Sequence, residues 1–361
     1  MPSRLVALVL ALLCALACVL PARAAHAQAA ATAGTADDED DATKNLPFRD
    51  SMLFFEQSLG MNTFSKSSQL SYDPYYAMAF DLWLYWHFGE RSALRLTQGI
   101  EVELTDSNST TSRQKPLLGD TGLRFSQKLV IHELTPARKL TFSGAIDASA
   151  PTSLASQAAG MILGVGPRAV VALSLEDALH GLSLALSTGY MRRFASNNTV
   201  RADVPYPCFS SSGNAECTYL GSLSSPRDLF DVSLISNLEI TDKLGALLWL
   251  TFDFYHSYAL APAEITTDTG ATLALPDASA THFHNSRTLR IGVSYQVVPM
   301  LDMLLSVTSV FSERSPNGNL RAPLRPVDTV LGLTATLMLD QVYVSAAGVP
   351  RHATATTAGA R

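Results

Sequence analysis

Charge is scarce in this chain of 361 residues: only 16% of positions are Asp, Glu, Lys or Arg. What charge there is does not favour the basic sign, with 26 Lys and Arg against 32 Asp and Glu and a formal net charge of -6. A nucleic-acid-binding protein needs a basic excess to neutralise phosphates, and that is missing. A disordered chain needs low apolar content, yet 47% of residues are hydrophobic and the mean hydropathy is +0.15. Long apolar runs are missing too, once the first twenty residues are passed. A helical membrane protein is thereby excluded, because each span needs about 20 consecutive apolar residues. Cysteine is limited to 4 positions. Apolar content is therefore high, but polar residues interrupt it everywhere.

The amino-terminal segment stands apart from the rest. Arg4 supplies a positive charge, Leu5 to Leu20 is apolar throughout, Pro21 breaks the run, and Ala25-His26-Ala27 has the small-residue pattern of a cleavage site. Residues 1–27 read as a secretory signal peptide with the mature start near Gln28, and its removal takes Arg4 and Arg23 with it. A lipoprotein signal fits less well, because Cys18 is followed by apolar Val19 and Leu20 and preceded at the third position by Ala15. Cys14 and Cys18 leave with the signal. Cys208 and Cys217 remain, and two close cysteines in a loop-like stretch of an exported chain read as one disulfide. Their spacing is not that of a metal or redox pair, and no cofactor or metal site is expected. Residues 28–47 form a leader rich in Ala and Thr that carries Asp37-Asp38-Glu39-Asp40-Asp41, whose mutual repulsion predicts disorder. The run lacks the Gly-turn spacing of a calcium loop.

From Phe48 onward, segments alternate between apolar and polar residues with a period of two. Tyr76, Met78, Phe80, Leu82, Leu84, Trp86 and Phe88 form one apolar series, interleaved with the mixed set Ala77, Ala79, Asp81, Trp83, Tyr85 and His87. The same pattern covers 93–104, 122–132, 229–240 and 286–297, where Leu123, Phe125, Leu129 and Ile131 fall in one set and Leu289, Ile291, Val293, Tyr295 and Val297 in another. Weaker versions lie at 52–62, 139–149, 161–174, 182–194, 244–255, 303–311 and 330–339. Successive strand side chains point to opposite faces, so each segment presents one greasy and one polar surface. The total is about twelve strands, each near the 9–11 residues a tilted strand needs to cross a bilayer.

The connections alternate in length. Short links fall at 89–91, 133–138, 176–178, 241–243 and 298–300; long ones, rich in Ser, Thr, Asn, Gly and Pro, fall at 63–74, 105–118, 150–160, 195–227, 257–285 and 312–327. A soluble sandwich gives no reason for every second connection to be long. A membrane barrel does, with short periplasmic turns and long extracellular loops. Lipid offers no hydrogen bonds, so a sheet inside it must close and leave no edge, with an apolar exterior and a polar interior. The sequence thus predicts an all-β fold: a closed antiparallel transmembrane β-barrel of about 12 strands over residues 48–340, followed by a polar tail at 341–361. Tyr76, Trp86, Phe88, Phe252, Phe254, Tyr295 and Phe311, near strand ends, suit interfacial girdles.

The signal peptide, the alternating strands and the rhythm of short turns and long loops resemble a Gram-negative outer-membrane β-barrel over nearly all of the mature chain. The stretch Ala150-Pro151-Thr152-Ser153 followed by 160–168 is similar to a loop-to-strand pattern of porin-like transport proteins. The resemblance implies an outer-membrane location, contact with outer-membrane lipid, and the barrel-assembly machinery as a partner during insertion. One departure stands out. Such chains commonly end on a strand with a terminal aromatic, whereas here the last alternating strand ends near Leu339 and a polar tail follows.

Alternation assigns Glu56, Asp81, Glu101, Glu103, Asp147, Asp231, Glu239 and Asp253 to the lumen, together with Arg95, Arg124, Lys128, Arg168, Arg193 and Arg290. The signs are nearly balanced, and Arg matches carboxylates bidentately, so a lumenal ion-pair network is expected. Two readings follow from it. Ion pairs could fill and stiffen a closed barrel, or line a narrow aqueous passage that filters small solutes by size and sign. Small inward residues such as Ala77, Gly122, Ser126, Gly164, Gly189 and Gly292 leave room for the passage. Inward Trp83, Tyr85 and Trp249 could fill space or stack on a ring. The expected function is a passive, porin-like channel rather than an enzyme; a closed barrel that binds a partner through its loops is the alternative. His284-Asn285-Ser286 has the His-x-Ser spacing of some outer-membrane lipid hydrolases. Alternation turns both residues away from lipid, and no Asn, Asp or Glu follows in the strand to orient a base.

Overall fold

In a computed structural model of the chain, residues 43, 46–64, 74–105, 114–178, 180–198, 225–259, 264–266, 272–274, 283–311, 323–325 and 328–347 are described. The signal segment, most of the acidic leader, Cys208 and Cys217 lie outside them.

The predicted alternation becomes twelve long strands. They are β1 (Met52–Gly60), β2 (Tyr76–Phe88), β3 (Ser92–Glu103), β4 (Thr121–Thr135), β5 (Arg138–Ala150), β6 (Met161–Leu175), β7 (Gly181–Ala195), β8 (Pro226–Glu239), β9 (Leu244–Ser257), β10 (Phe283–Val298), β11 (Leu301–Phe311) and β12 (Thr329–Met338). Each pairs antiparallel with its neighbours in sequence, and β1 pairs with β12 from Met52↔Met338 through Gly60↔Val330. The sheet is a closed up-and-down barrel with no free edge among these strands, as an apolar surrounding requires of exposed backbone groups. No helix among the described residues is long and apolar enough to cross a membrane.

The exterior is greasy. Phe80, Leu84, Leu96, Ile100, Phe125, Ile146, Ile291, Val293 and Leu305 are all exposed on the outer face. A soluble protein avoids contiguous apolar surface of this extent, and a lipid-facing belt consists of it. At the short-turn rim Trp86, Phe88 and Tyr295 stand exposed, as a girdle requires. Phe254 and Phe311 at the opposite end are instead buried. Phe254 lies between Phe230 and Phe283, at 5.8 and 6.1 Å between ring centroids, so these two are packing residues rather than girdle members.

Strict alternation fails in the middle of β4, and the register also shifts near strand ends at 133–135, 161–163, 256–257 and 296–298. The register of β4 against β5 shifts between Lys128 and Val130. Leu129 and Val130 both project outward and are 62% and 53% exposed. Ile131, expected to share a face with Leu129, pairs with Thr141 and joins the inward set. An extra residue in one strand reverses the phase of all that follow.

The turns and loops segregate as expected. Gly89, at φ 76, lets the chain reverse between β2 and β3 in a backbone conformation that costs other residues energy. Both described ends of the chain sit at this short-turn rim. The tail is not merely polar coil: Leu339–Ala347 is a helix, α2, whose Val344 is 1% exposed. The Leu339 amide donates to the Ser51 carbonyl at 2.8 Å, the Asp50 amide donates to Asp340 Oδ2 at 3.0 Å, and the Phe48 and Tyr343 rings meet edge-on at 5.2 Å. Burial pushes the Asp340 carboxyl above its ordinary range, against the pull of the Asp50 and Gln341 amides. At the other rim a short helix, α1 (Leu154–Ala158), is capped by Ser153. Asp120 accepts from the Ser153 amide at 3.0 Å and from the Ser156 hydroxyl. Thr152 Oγ1 donates to the Gly119 carbonyl at 2.7 Å. The Pro151-Thr152-Ser153 stretch thus braces one loop against the next.

Candidate functional site: the lumen

Cross-strand pairing fixes which side chains share the inner face, because directly opposed residues point the same way. The chain of pairs Glu56↔Ala79, Ala79↔Glu101, Arg124↔Asp147, Ala145↔Arg168, Arg168↔Gly189, Gly189↔Asp231, Asp231↔Asp253 and Trp249↔Arg290 runs round the wall. By this register all fourteen charged residues expected in the lumen, from Glu56 to Arg290, lie on the inner face. Lys139 and Asp302 share that face and were missed, because both stand at strand ends where alternation is short.

The lumenal charges form two clusters. In the first, Arg124 bonds Asp147 through Nε and, at 3.0 Å, through Nη2. Arg168 Nε donates at 2.8 Å to Asp147 Oδ2, the oxygen that Arg124 Nη2 also reaches, and its two terminal nitrogens clamp Asp231 at 2.7 and 2.8 Å. This ladder crosses β4, β5, β6 and β8, and it passes over β7 only because position 189 is glycine. A Cβ there would stand 2.6 Å from both Arg168 Nη2 and Asp231 Oδ1. The small residue makes room for an ion pair rather than for open space.

The second cluster centres on Arg290, which is 1% exposed. Its Nε donates to Ser306 Oγ at 3.1 Å on β11, and Nη2 donates to Thr334 Oγ1 at 3.0 Å on β12 and to Glu56 Oε2 at 3.1 Å on β1. Ser58 and Thr334 donate to the same carboxylate at 3.0 and 3.1 Å. One guanidinium therefore ties four strands together across the seam where the barrel closes.

Other lumenal charges meet aromatic and hydroxyl partners. Arg95 lies 4.5 Å above the Trp83 ring and donates to the Tyr85 hydroxyl at 3.3 Å, a cation–π arrangement. Trp83 packs on Met52 and Phe54 in a small core, so this inward tryptophan fills space. Trp249 is buried on the opposite wall. Glu101 accepts from the Tyr75 hydroxyl at 2.8 Å, and burial beside that carboxylate drives the phenol far above its ordinary pKa. Glu103 is 1% exposed and accepts from Thr105 at 3.0 Å. Arg193, Asp253, Lys128 and Glu239 share the inner face, the last two lying toward the short-turn mouth.

The two arcs of the wall differ in their access to water. Inward residues of β8 to β12 and β1, such as Ser233, Trp249, Thr251, Asp253, Ser286, Thr288, Ser306 and Thr334, are buried. On β4 to β6 the inward Arg124, Ser126, Lys128, Thr141, Ser143, Ala145, Val170 and Ala172 keep solvent-accessible surface, while Asp147, Gly164 and Gly166 are buried. The Arg124 side chain, well inside the barrel, is 28% exposed. Ser286 Oγ is buried without a hydrogen-bond partner, on the lumenal face by its pairing with Asp253. The backbone of His284 is in β10, while its side chain is outside the described residues.

These features define the class: a membrane-spanning, outer-membrane-type β-barrel with a charged interior. No protein-family model matches the chain, and no curated protein matches it in sequence. Solved structures with a similar course of the chain include an outer membrane channel from Pseudomonas putida F1, with 10% identity, a TM-score of 0.46 and coverage of 80% of this chain and 93% of that one. The NanC porin shows 10% identity and a TM-score of 0.39, covering 80% and 98%, and the KdgM porin 7% and 0.34, covering 79% and 98%. Likeness at this level concerns the course of the backbone alone. The class rests on this chain's own closure and exterior.

Proposed function

We propose that the barrel is a passive channel for small solutes in the outer membrane of a Gram-negative bacterium, reached by export through the signal segment and insertion by the barrel-assembly machinery. The observation that carries this reading is the asymmetry of the inner wall. One arc is packed, and the other keeps water-accessible side chains, so the path runs off-centre along β4 to β6. Arg124 and Arg168 on that arc are balanced by Asp147 and Asp231. Lys128 adds positive charge to the path, which favours small anions over cations.

Purified protein in a planar lipid bilayer is expected to give stepwise currents with a modest anion preference under a salt gradient. Folded protein that passes no current would overturn the channel and favour the closed, partner-binding barrel. The reading is non-enzymatic: Ser286→Ala is expected to leave any background lipid hydrolysis unchanged. A loss of hydrolysis confined to that variant would reinstate a catalytic His284 and Ser286.

A further inference from the structure

A charged cluster interrupts the barrel's greasy exterior at one level. Among the described residues of the twelve strands, alternation puts charged side chains on the outer face above the short-turn rim only at Arg192, Asp228 and Arg287; Arg227 joins them because the β8–β9 register shifts at His256/Ser257 and leaves position 227 outside the pairing. Arg192 pairs with Asp228, and Asp228 with His256, across three adjacent strands. Their outward neighbours along the strands, Tyr190, Phe194 and Phe230, are exposed at 41%, 46% and 39%. Arg192 Nη1 donates to Asp228 Oδ1 at 2.8 Å, and the Tyr190 hydroxyl donates to the same oxygen at 2.8 Å. Arg227 Nε donates to Asp228 Oδ2 at 2.8 Å, and its Nη2 lies 2.8 Å from His256 Nδ1. Asp228 is thus shared by two guanidinium groups and balances only one of them. The Arg192, Arg227 and His256 side chains remain 35%, 31% and 45% exposed, whereas Asp228 is 17% exposed beneath them. The carboxylate is the floor of the cluster, and the two guanidinium groups and the imidazole are its surface. Arg287, over the Phe252 ring at 5.7 Å, extends the cationic side to the next strand.

The height of the cluster identifies what it meets. Arg192 is ten positions along β7 from Leu182, the first outward residue at the short-turn rim, and Asp228 is equally far from Leu238 on β8. Ten residues of strand span about 33 Å, and a tilt of about 40° reduces that to about 25 Å of height. That is the thickness of the apolar band of an outer-membrane barrel. The cluster therefore stands where acyl chains give way to head groups on the long-loop side. A charge facing lipid at mid-membrane costs about 2–4 kcal/mol, but almost nothing at the interface. Here two guanidinium groups in fixed geometry face a layer in which phosphate is the natural bidentate partner.

We infer that Arg192, Arg227 and His256, set on Asp228, form an exterior binding site for the phosphate of an anionic lipid in the outer leaflet. The aromatic side chains Tyr190 and Phe230 line the acyl side of the site, and Phe194 stands beyond Arg192 toward the long-loop rim. The inference concerns the outer surface and stands or falls separately from the channel.

Native mass spectrometry of the folded full chain, in detergent doped with equal amounts of phosphatidic acid and phosphatidylcholine, tests it. The wild type is expected to retain one phosphatidic acid in preference to phosphatidylcholine. Arg192→Gln with Arg227→Gln should lower that preference by about fivefold for each guanidinium removed. Asp228→Asn, which removes the competing carboxylate and keeps the cations, should raise it, and this variant keeps the test decisive if the double variant does not fold. Millimolar inorganic phosphate should fail to displace the lipid, since it lacks the acyl contact. Equal retention of both lipids by the wild type, indifference to all three substitutions, or displacement by inorganic phosphate alone would each overturn the proposal. Bilayer conductance of the folded variants should match that of the wild type, which separates this site from the lumen.

Discussion

Arg290→Ala is expected to destabilise the barrel by about 3–5 kcal/mol, the cost of removing one partner from a buried ion pair. The guanidinium is 1% exposed and bonds three strands besides its own. Its loss leaves Glu56 with only hydroxyl donors from Ser58 and Thr334, and leaves a void at the seam between β12 and β1. The seam joins the first and last strands in sequence, so the ring depends on it for closure. The measurement is urea unfolding of the protein in lipid vesicles, read by the shift of the folded band on unheated gels. Arg290→Met combined with Glu56→Leu should recover much of the loss, since an apolar pair of similar volume removes the stranded charge. If the single variant unfolds at the wild-type midpoint, Arg290 does not lock the closure.

The strands and their faces were legible in the sequence because a period of two is a property of the backbone itself: wherever one face meets lipid and the other water, the residues must alternate. This is why all fourteen lumenal charges could be assigned from position alone. Which of them pair was not legible. Glu56 and Arg290 are 234 positions apart, and Arg168 and Asp231 are 63 apart; their meeting depends on closure and on register, which no local pattern carries. Gly189 shows the same limit. Its smallness suggests open space, whereas its actual use is to let Arg168 reach over β7. The bulge after Lys128 gave no sign because the run Leu129-Val130-Ile131 is apolar on either phase. Helix α2 was hidden for a different reason: nine residues are too few to be helical alone, and it is held by residues 48–51 at the far end of the chain. The exterior cluster at Arg192 and Asp228 breaks the apolar series of its strands, and that break was the available signal.

Replacing Arg168 by Met should change what the channel passes more than any other single lumenal substitution. Arg168 is the only group in the ladder that serves two carboxylates, with Nε on Asp147 and both terminal nitrogens on Asp231. Without it Asp147 keeps Arg124, while Asp231 loses a bidentate partner and carries a full negative charge beside the open arc. A fixed charge in a narrow pore, where the local dielectric is below that of bulk water, acts strongly on permeating ions. The reversal potential under a salt gradient should therefore move toward the cation side, with the opposite sign from the modest anion preference of the wild type. Asp231→Asn in the Arg168→Met background removes the stranded charge and should bring the potential back. The pair of substitutions also separates charge from width, because Met and Asn leave the passage at least as wide as before. A larger conductance with unchanged selectivity would mean that Arg168 acts only as a strut, and that the path through the barrel lies away from the ladder.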